Sequence, residues 1–210
     1  MDDIVARALA KWPNVPAVCG WLALDRRGRW TIRSTSAAGT AGTGTGFEPV
    51  ANPKLIEFIG RNYHHDQQGR WYFQNGPQRV YVDLAYTPLV YRIARTNPLS
   101  FETHVGTACA TLQAAYMDEA GNLLLVTEHG PGLLLDRDLA GALEALCYAD
   151  DRALEEERLL ALIEQGNDAA GIYFNTGAVS LPLARIRAQE APQRLGYVRE
   201  PQPPAGAPRY

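Results

Sequence analysis

The sequence predicts an α+β protein of two small lobes: a hairpin–helix–hairpin unit, then an antiparallel β-meander, a roll or partial barrel, with helices. Three observations predict this. Val80, Val82 and Leu84 alternate with Arg79, Tyr81 and Asp83, the period of a half-buried strand. Ile4, Val5, Ala8 and Leu9 recur at helical spacing, as do Leu55, Ile56, Ile59 and Tyr63. Thr96-Asn97-Pro98 punctuates the chain near the point where its charge changes sign: residues 1–100 hold 12 basic and 7 acidic side chains, residues 101–210 hold 8 and 16. The expected division is residues 1–96, residues 97–190 and a disordered tail at 191–210.

Asp2 is placed to cap the first helix, which Pro13 and Pro16 end. Ala17 to Leu24 and Arg29 to Arg33 read as a hairpin about Asp25-Arg26-Arg27-Gly28, with Trp21 and Trp30 as anchors. Residues 35–46 contain only Gly, Ala, Ser and Thr and read as a mobile surface loop. Asn52 then caps a helix with Pro53 in its first position. His64 to Gly69 forms a polar turn, and Asn75-Gly76-Pro77 joins two further strands.

The second lobe opens with strands at Leu99 to Val105, Ala108 to Met117 and Leu123 to Glu128. Helices follow over about 138–165, the first running through Leu139, Leu143 and Leu146, the second from Asp151 to Gln165. Ile172 to Phe174 and Val179 to Ile186 complete the expected strands. Pro and Gly dominate from Pro192 onward, the basis for expecting disorder there.

Composition narrows the class. Apolar residues make up 46% of the chain and charged ones 20%, enough hydrocarbon for a packed core. Met1-Asp2-Asp3 carries acids where a secretory signal carries bases, and no apolar run approaches the ~20 residues of a membrane helix. Cys19, Cys109 and Cys147 are three, widely spaced and without C-x-x-C, so neither a disulfide framework nor a zinc knuckle is written. The expectation is a cytoplasmic protein of a bacterial, reducing cytosol, without membrane association and without a cofactor.

The stretches Gly69-Arg70-Trp71-Tyr72-Phe73, Gly76-Pro77-Gln78-Arg79-Val80-Tyr81-Val82-Asp83 and Leu99-Ser100-Phe101-Glu102-Thr103 carry a family likeness. Over roughly residues 20–135 the chain resembles the uncharacterised proteobacterial family called domain of unknown function twelve-eighty-five. The resemblance implies a small α+β unit joined to a β-rich roll or barrel, and implies no activity. The Gly/Thr loop and the helical segment depart from it.

Candidate sites follow from residue chemistry. Gly42, Gly44 and Gly46 lie between a strand and a helix but lack the G-x-G-x-x-G spacing and the Lys of a phosphate loop. Arg26, Arg27, Arg29, Arg33, Arg70 and Arg79 interleave with Trp30, Trp71, Tyr72, Phe73 and Tyr81. Arginine with aromatic rings on a sheet suits a protein partner or a second copy, and ranks single-stranded nucleic acid below them. From this set Arg29, Trp30, Arg70, Trp71, Arg79 and Tyr81 are the expected binding residues of a non-enzymatic binding or regulatory module. The alternative is a small enzyme or ligand-binding protein with a polar pocket at the seam of the lobes. There His64 or His65 would join Glu102 and His104, which share a strand face, around a metal ion. Cys109 with His104 or His129 is a weaker thiolate pair, since a Cys between Ala108 and Ala110 reads first as a small core residue.

Overall fold

The structure is a computed structural model and describes residues 1–34, 46–164 and 169–203. Most of the Gly/Thr loop expected at 35–46 lies outside the described residues. Of the described residues 21% are helical and 40% lie in strands, so the protein is broadly α+β and mostly β. The chain divides into two compact units, residues 1–86 with 196–210, and residues 87–195.

The first unit opens with helix α1 (Asp3–Lys11), which follows Asp2, although the Asp2 side chain makes no cap bond. Strands β1 (Val18–Leu24), β2 (Trp30–Arg33) and β3 (Phe47–Pro49) lead to helix α2 (Pro53–Arg61). Asn52 caps α2 as its sequence requires, its side chain accepting from the Lys54 and Leu55 backbone N–H groups with Pro53 behind it. Strands β4 (Tyr63–His65), β5 (Trp71–Asn75) and β6 (Gln78–Leu84) complete a six-stranded sheet in the order β3-β2-β1-β6-β5-β4. Tyr63 thus leaves the helix pattern to pair with Phe73 on the sheet. β1 and β6 run parallel; every other pair in this sheet is antiparallel.

Register fixes the two faces, because paired residues point the same way. Tyr63, Phe73 and Val80 form one row, and Phe58 of α2 meets Phe73 edge-on with ring centroids 5.4 Å apart. Trp30 and Tyr63 stand on β2 and β4 with three strands between them, yet their rings meet edge-on at 4.9 Å. That contact requires the sheet to curl around this aromatic core. On the opposite face Tyr72 and Tyr81 pair over buried Cys19, with Ala17 packed beside them.

Within the segment expected to be a disordered tail, residues 191–203 take up defined structure, beginning with a short helix over Ala191–Leu195. Val198 N donates to Gly69 O, Leu84 N donates to Arg199 O, and Tyr197 and Pro201 are buried. Backbone hydrogen bonds to partners far away in sequence hold this Pro-rich stretch, which composition alone reads as coil.

The second unit contains β7 (Leu89–Thr96), β8 (Leu99–Thr103), β9 (Leu112–Met117), β10 (Leu123–Thr127) and β11 (Gly130–Leu134). It continues with α3 (Leu139–Leu143), β12 (Leu146–Tyr148), α4 (Glu156–Glu164), β13 (Ile172–Asn175), β14 (Ser180–Arg185) and α5 (Ala191–Leu195). The eight strands form one sheet in the order β12-β13-β14-β9-β10-β11-β7-β8. Strand β7 pairs with β11 and β8, which places residues 87–96 in this unit. The helical stretch expected over 138–165 is broken by β12: Leu146 pairs with Phe174 instead of extending a helix. Asp151 has a positive φ of 62°, which interrupts any helix there, so α4 starts at Glu156.

Candidate functional site

The six arginine and aromatic residues singled out by sequence do not share a surface. Trp30 and Trp71 lie on the same sheet face as Phe73 and Val80, and they are 3% and 6% exposed. Tyr81 and Arg79 lie on the opposite face, where Tyr81 is also buried. The alternation that separates Trp71 from Tyr72 therefore splits the set, and the two Trp rings have no exposed face on which a base could stack.

What the second face does present is a pair of guanidinium–ring contacts. Arg70 lies 4.7 Å over the Tyr81 ring and Arg79 lies 4.7 Å over the Tyr72 ring. Asp66 ties this group together, accepting from Arg70 Nε at 2.8 Å and from the Tyr81 hydroxyl at 3.2 Å. Burial raises the Asp66 carboxyl, but the hydrogen bonds from Arg70 and Gln68 outweigh it and hold the group below the usual carboxylate range. Arg29 stands elsewhere, exposed in the β1–β2 turn and paired with Asp25 at 2.6 Å.

The expected metal ligands fall in different units, His64 and His65 in the first, Glu102 and His104 in the second. Burial lowers the His64 imidazole. The His65 ring packs on Trp71 at 4.9 Å. Glu102 pairs with Arg92 at 3.1 Å, and His104 Nδ1 accepts from Val90 N at 3.2 Å. Among the described residues no three His, Cys, Asp or Glu side chains gather as a metal site needs.

An open cavity of about 470 Å³ lies within the first unit, on the same sheet face as Tyr72 and Tyr81. The row Asp83–Ala23–Thr31 forms its floor, fixed by pairing of β1 with β6 and β2. Phe47 of β3 forms one wall, and Arg199 and Glu200 of the C-terminal segment form another. The Arg199 guanidinium donates to Ala85 O at 2.7 Å, which anchors that wall to the end of β6. Three carboxylates line this space, Asp83, Glu200 and Asp25, the last accepting from the Arg27 and Arg29 backbone N–H groups.

In the sequence Asp83 is only a polar member of the β6 alternation, and Arg199 and Glu200 belong to the Pro-rich C-terminal segment. No local pattern marks these residues as neighbours, because the hydrogen bond that joins Leu84 to Arg199 spans 115 residues.

No curated protein matches the chain. Two solved structures are similar to it. A DUF1285 family protein from Silicibacter pomeroyi DSS-3 shares 15% identity at a TM-score of 0.51, over 88% of this chain and 96% of that one. A DUF1285 family protein from Shewanella baltica OS155 shares 18% identity at a TM-score of 0.39, over 59% of this chain and 87% of that one. The first likeness shows the fold, and the resemblance to the family called domain of unknown function twelve-eighty-five is supported. A family model matches residues 1–202, nearly the whole chain. The chain therefore belongs to the family DUF2944, described as "Protein of unknown function (DUF2946)".

Proposed function

We propose that this chain is a non-enzymatic binding module whose first unit takes a small polar ligand bearing a positive charge. The observation that carries the reading is the cavity floored by Asp83, Ala23 and Thr31 and walled by Phe47 and Glu200. Its volume of about 470 Å³ falls in the range of ~300–1,000 Å³ common to small-molecule sites. Carboxylates outnumber the Arg199 guanidinium around it, and that guanidinium is already spent on backbone carbonyls. An amine gains attraction in such a space, whereas a phosphate meets like charge.

The reactive side chains support binding over catalysis. Burial pushes the Cys109 thiol up to about 11 and raises Cys147, the reverse of what an activated nucleophile needs.

The test is a thermal-shift and NMR titration of the full chain with small amines, polyamines, nucleotides, phosphate and short oligonucleotides. Amines are expected to raise the melting temperature and to shift the Ala23 and Thr31 amides. Asp83→Asn, a near-isosteric change, is expected to weaken that response at least tenfold. Response to phosphate or oligonucleotides alone overturns the reading.

A further inference from the structure

The second unit contains a smaller space of different character. In its sheet, β8 occupies one end and β13 lies next to the strand at the other. Nevertheless Leu99 N donates to Thr176 O at 2.8 Å, and the rings of Phe101 and Phe174 stack with centroids 6.2 Å apart. The sheet thus curls until the β8 edge meets the turn between β13 and β14. Mouths of curled and closed sheets are recurrent places for small ligands.

A cavity of about 110 Å³ sits at this closure. Leu99, Phe101, Cys109, Leu112, Thr127 and Val179 are among the residues lining it. Its threonine hydroxyls are already committed. Thr127 Oγ1 meets the Tyr91 hydroxyl at 2.8 Å and accepts from His129 N at 3.1 Å. Thr176 Oγ1 donates to Val179 O and accepts from Val179 N, each at 3.1 Å, and Thr111 Oγ1 donates to Glu128 Oε2 at 3.0 Å. With those groups satisfied internally, an occupant meets hydrocarbon, the Ser100 hydroxyl and the Cys109 thiol. That thiol is neutral, because burial, together with the nearby Glu128 and Glu102 carboxylates, outweighs the Thr127 hydrogen bond that favours the thiolate.

Size and chemistry together select the occupant. Well-packed interiors hold few voids larger than a water, and water needs two or more polar partners to reside in one. Apolar cavities of roughly 150 Å³ stay dry and take up benzene or xenon. We propose that the closure of the second unit's sheet is a binding site for a small, uncharged, apolar group of about six heavy atoms, such as an aromatic ring or a short branched alkyl chain. This site is independent of the first unit's cavity.

The experiment is a titration of the full chain, carrying ¹³C-labelled Leu and Val methyls, with benzene. Saturable shifts confined to the methyls of Leu99, Leu112 and Val179 are expected. Cys109→Leu, whose longer side chain fills the space, is expected to weaken the apparent affinity at least tenfold. Should Cys109→Leu fail to fold, Val179→Phe fills the same cavity and carries the same expectation. Absence of a saturable shift, a shift unchanged in a folded filling variant, or an equal response of the same methyls to methylammonium overturns the proposal.

Discussion

Arg70 lies with its guanidinium 4.7 Å over the ring of Tyr81, and the Asp66 carboxylate binds both of them. Asp66 also accepts from the backbone N–H groups of Gln68 and Arg70, so one carboxylate closes the β4–β5 turn and anchors it to β6. Asp66→Ala removes these acceptor contacts and leaves the partly exposed Arg70 guanidinium without its ion pair. The expected cost is about 1–3 kcal/mol, read as a lower urea midpoint. The pH dependence has a definite sign. The Asp66 carboxyl titrates lower when folded than its ordinary 3.8. Its contribution is therefore complete above about pH 4 and is lost as pH falls through the folded value, so the gap between wild type and Asp66→Ala closes in acid.

Trp71 and Arg29, both expected from sequence to bind a partner, are predicted to behave oppositely. Trp71 is 6% exposed and its ring lies 4.9 Å from that of Tyr63. Trp71→Ala should cost about 3–5 kcal/mol of stability through the cavity it leaves. Arg29 holds an exposed ion pair with Asp25, and Arg29→Ala should cost no more than about 1 kcal/mol. Paired denaturant melts decide this. Equal, small effects would mean that Trp71 is a surface residue after all.

Local chemistry accounts for what was legible in the sequence. The Asn52–Pro53 cap, the β9–β10 hairpin and the β6 alternation each depend on a few consecutive residues, so each could be read directly. Trp71 was harder, because Trp71 to Gln74 are all buried and a strand covered on both faces shows no alternation to assign its sides. The parallel β1–β6 pairing, the insertion of β12 among helices and the C-terminal return all depend on partners distant in sequence. Both cavities inherit that difficulty, since Asp83 meets Arg199 and Leu99 meets Thr176 only after the sheets have formed.

Gly69 tests the C-terminal return. It has a positive φ of 73°, and a Cβ at this position would collide with the backbone carbonyl of Gly196. Gly69→Ala is therefore strained twice, by its conformation and by contact with atoms that cannot swing away. The variant should show raised hydrogen exchange at the Val198 amide, which donates to Gly69 O, together with a destabilisation of about 1–3 kcal/mol. Gly76 supplies the control: it too has a positive φ, 56°, but a Cβ there meets nothing within 4 Å. Gly76→Ala should leave Val198 protected. Equal exchange at Val198 in both variants would contradict the docking of residues 196–203.

Glu128 is predicted to make the second unit acid-sensitive in a window of its own. Its carboxylate accepts from Thr111 N and Thr111 Oγ1, each at 3.0 Å, and from Ala110 N, which fastens the segment entering β9 beside the small cavity. Burial alone would raise this carboxyl. The Ala110 and Thr111 hydrogen bonds prevail and bring it down to about 2 from an ordinary 4.5. A depressed folded value places the stabilisation above about pH 4.5 and removes it progressively as pH falls toward 2. Glu128→Gln keeps an acceptor oxygen but loses the charge, so it should be less stable than wild type at pH 7 and converge with it near pH 2. The Ala110 and Thr111 amide resonances report the event directly, moving with an apparent pKa of about 2 in wild type and holding still in the variant. Titration of those amides near the ordinary glutamate value would show that the carboxylate does not hold this segment.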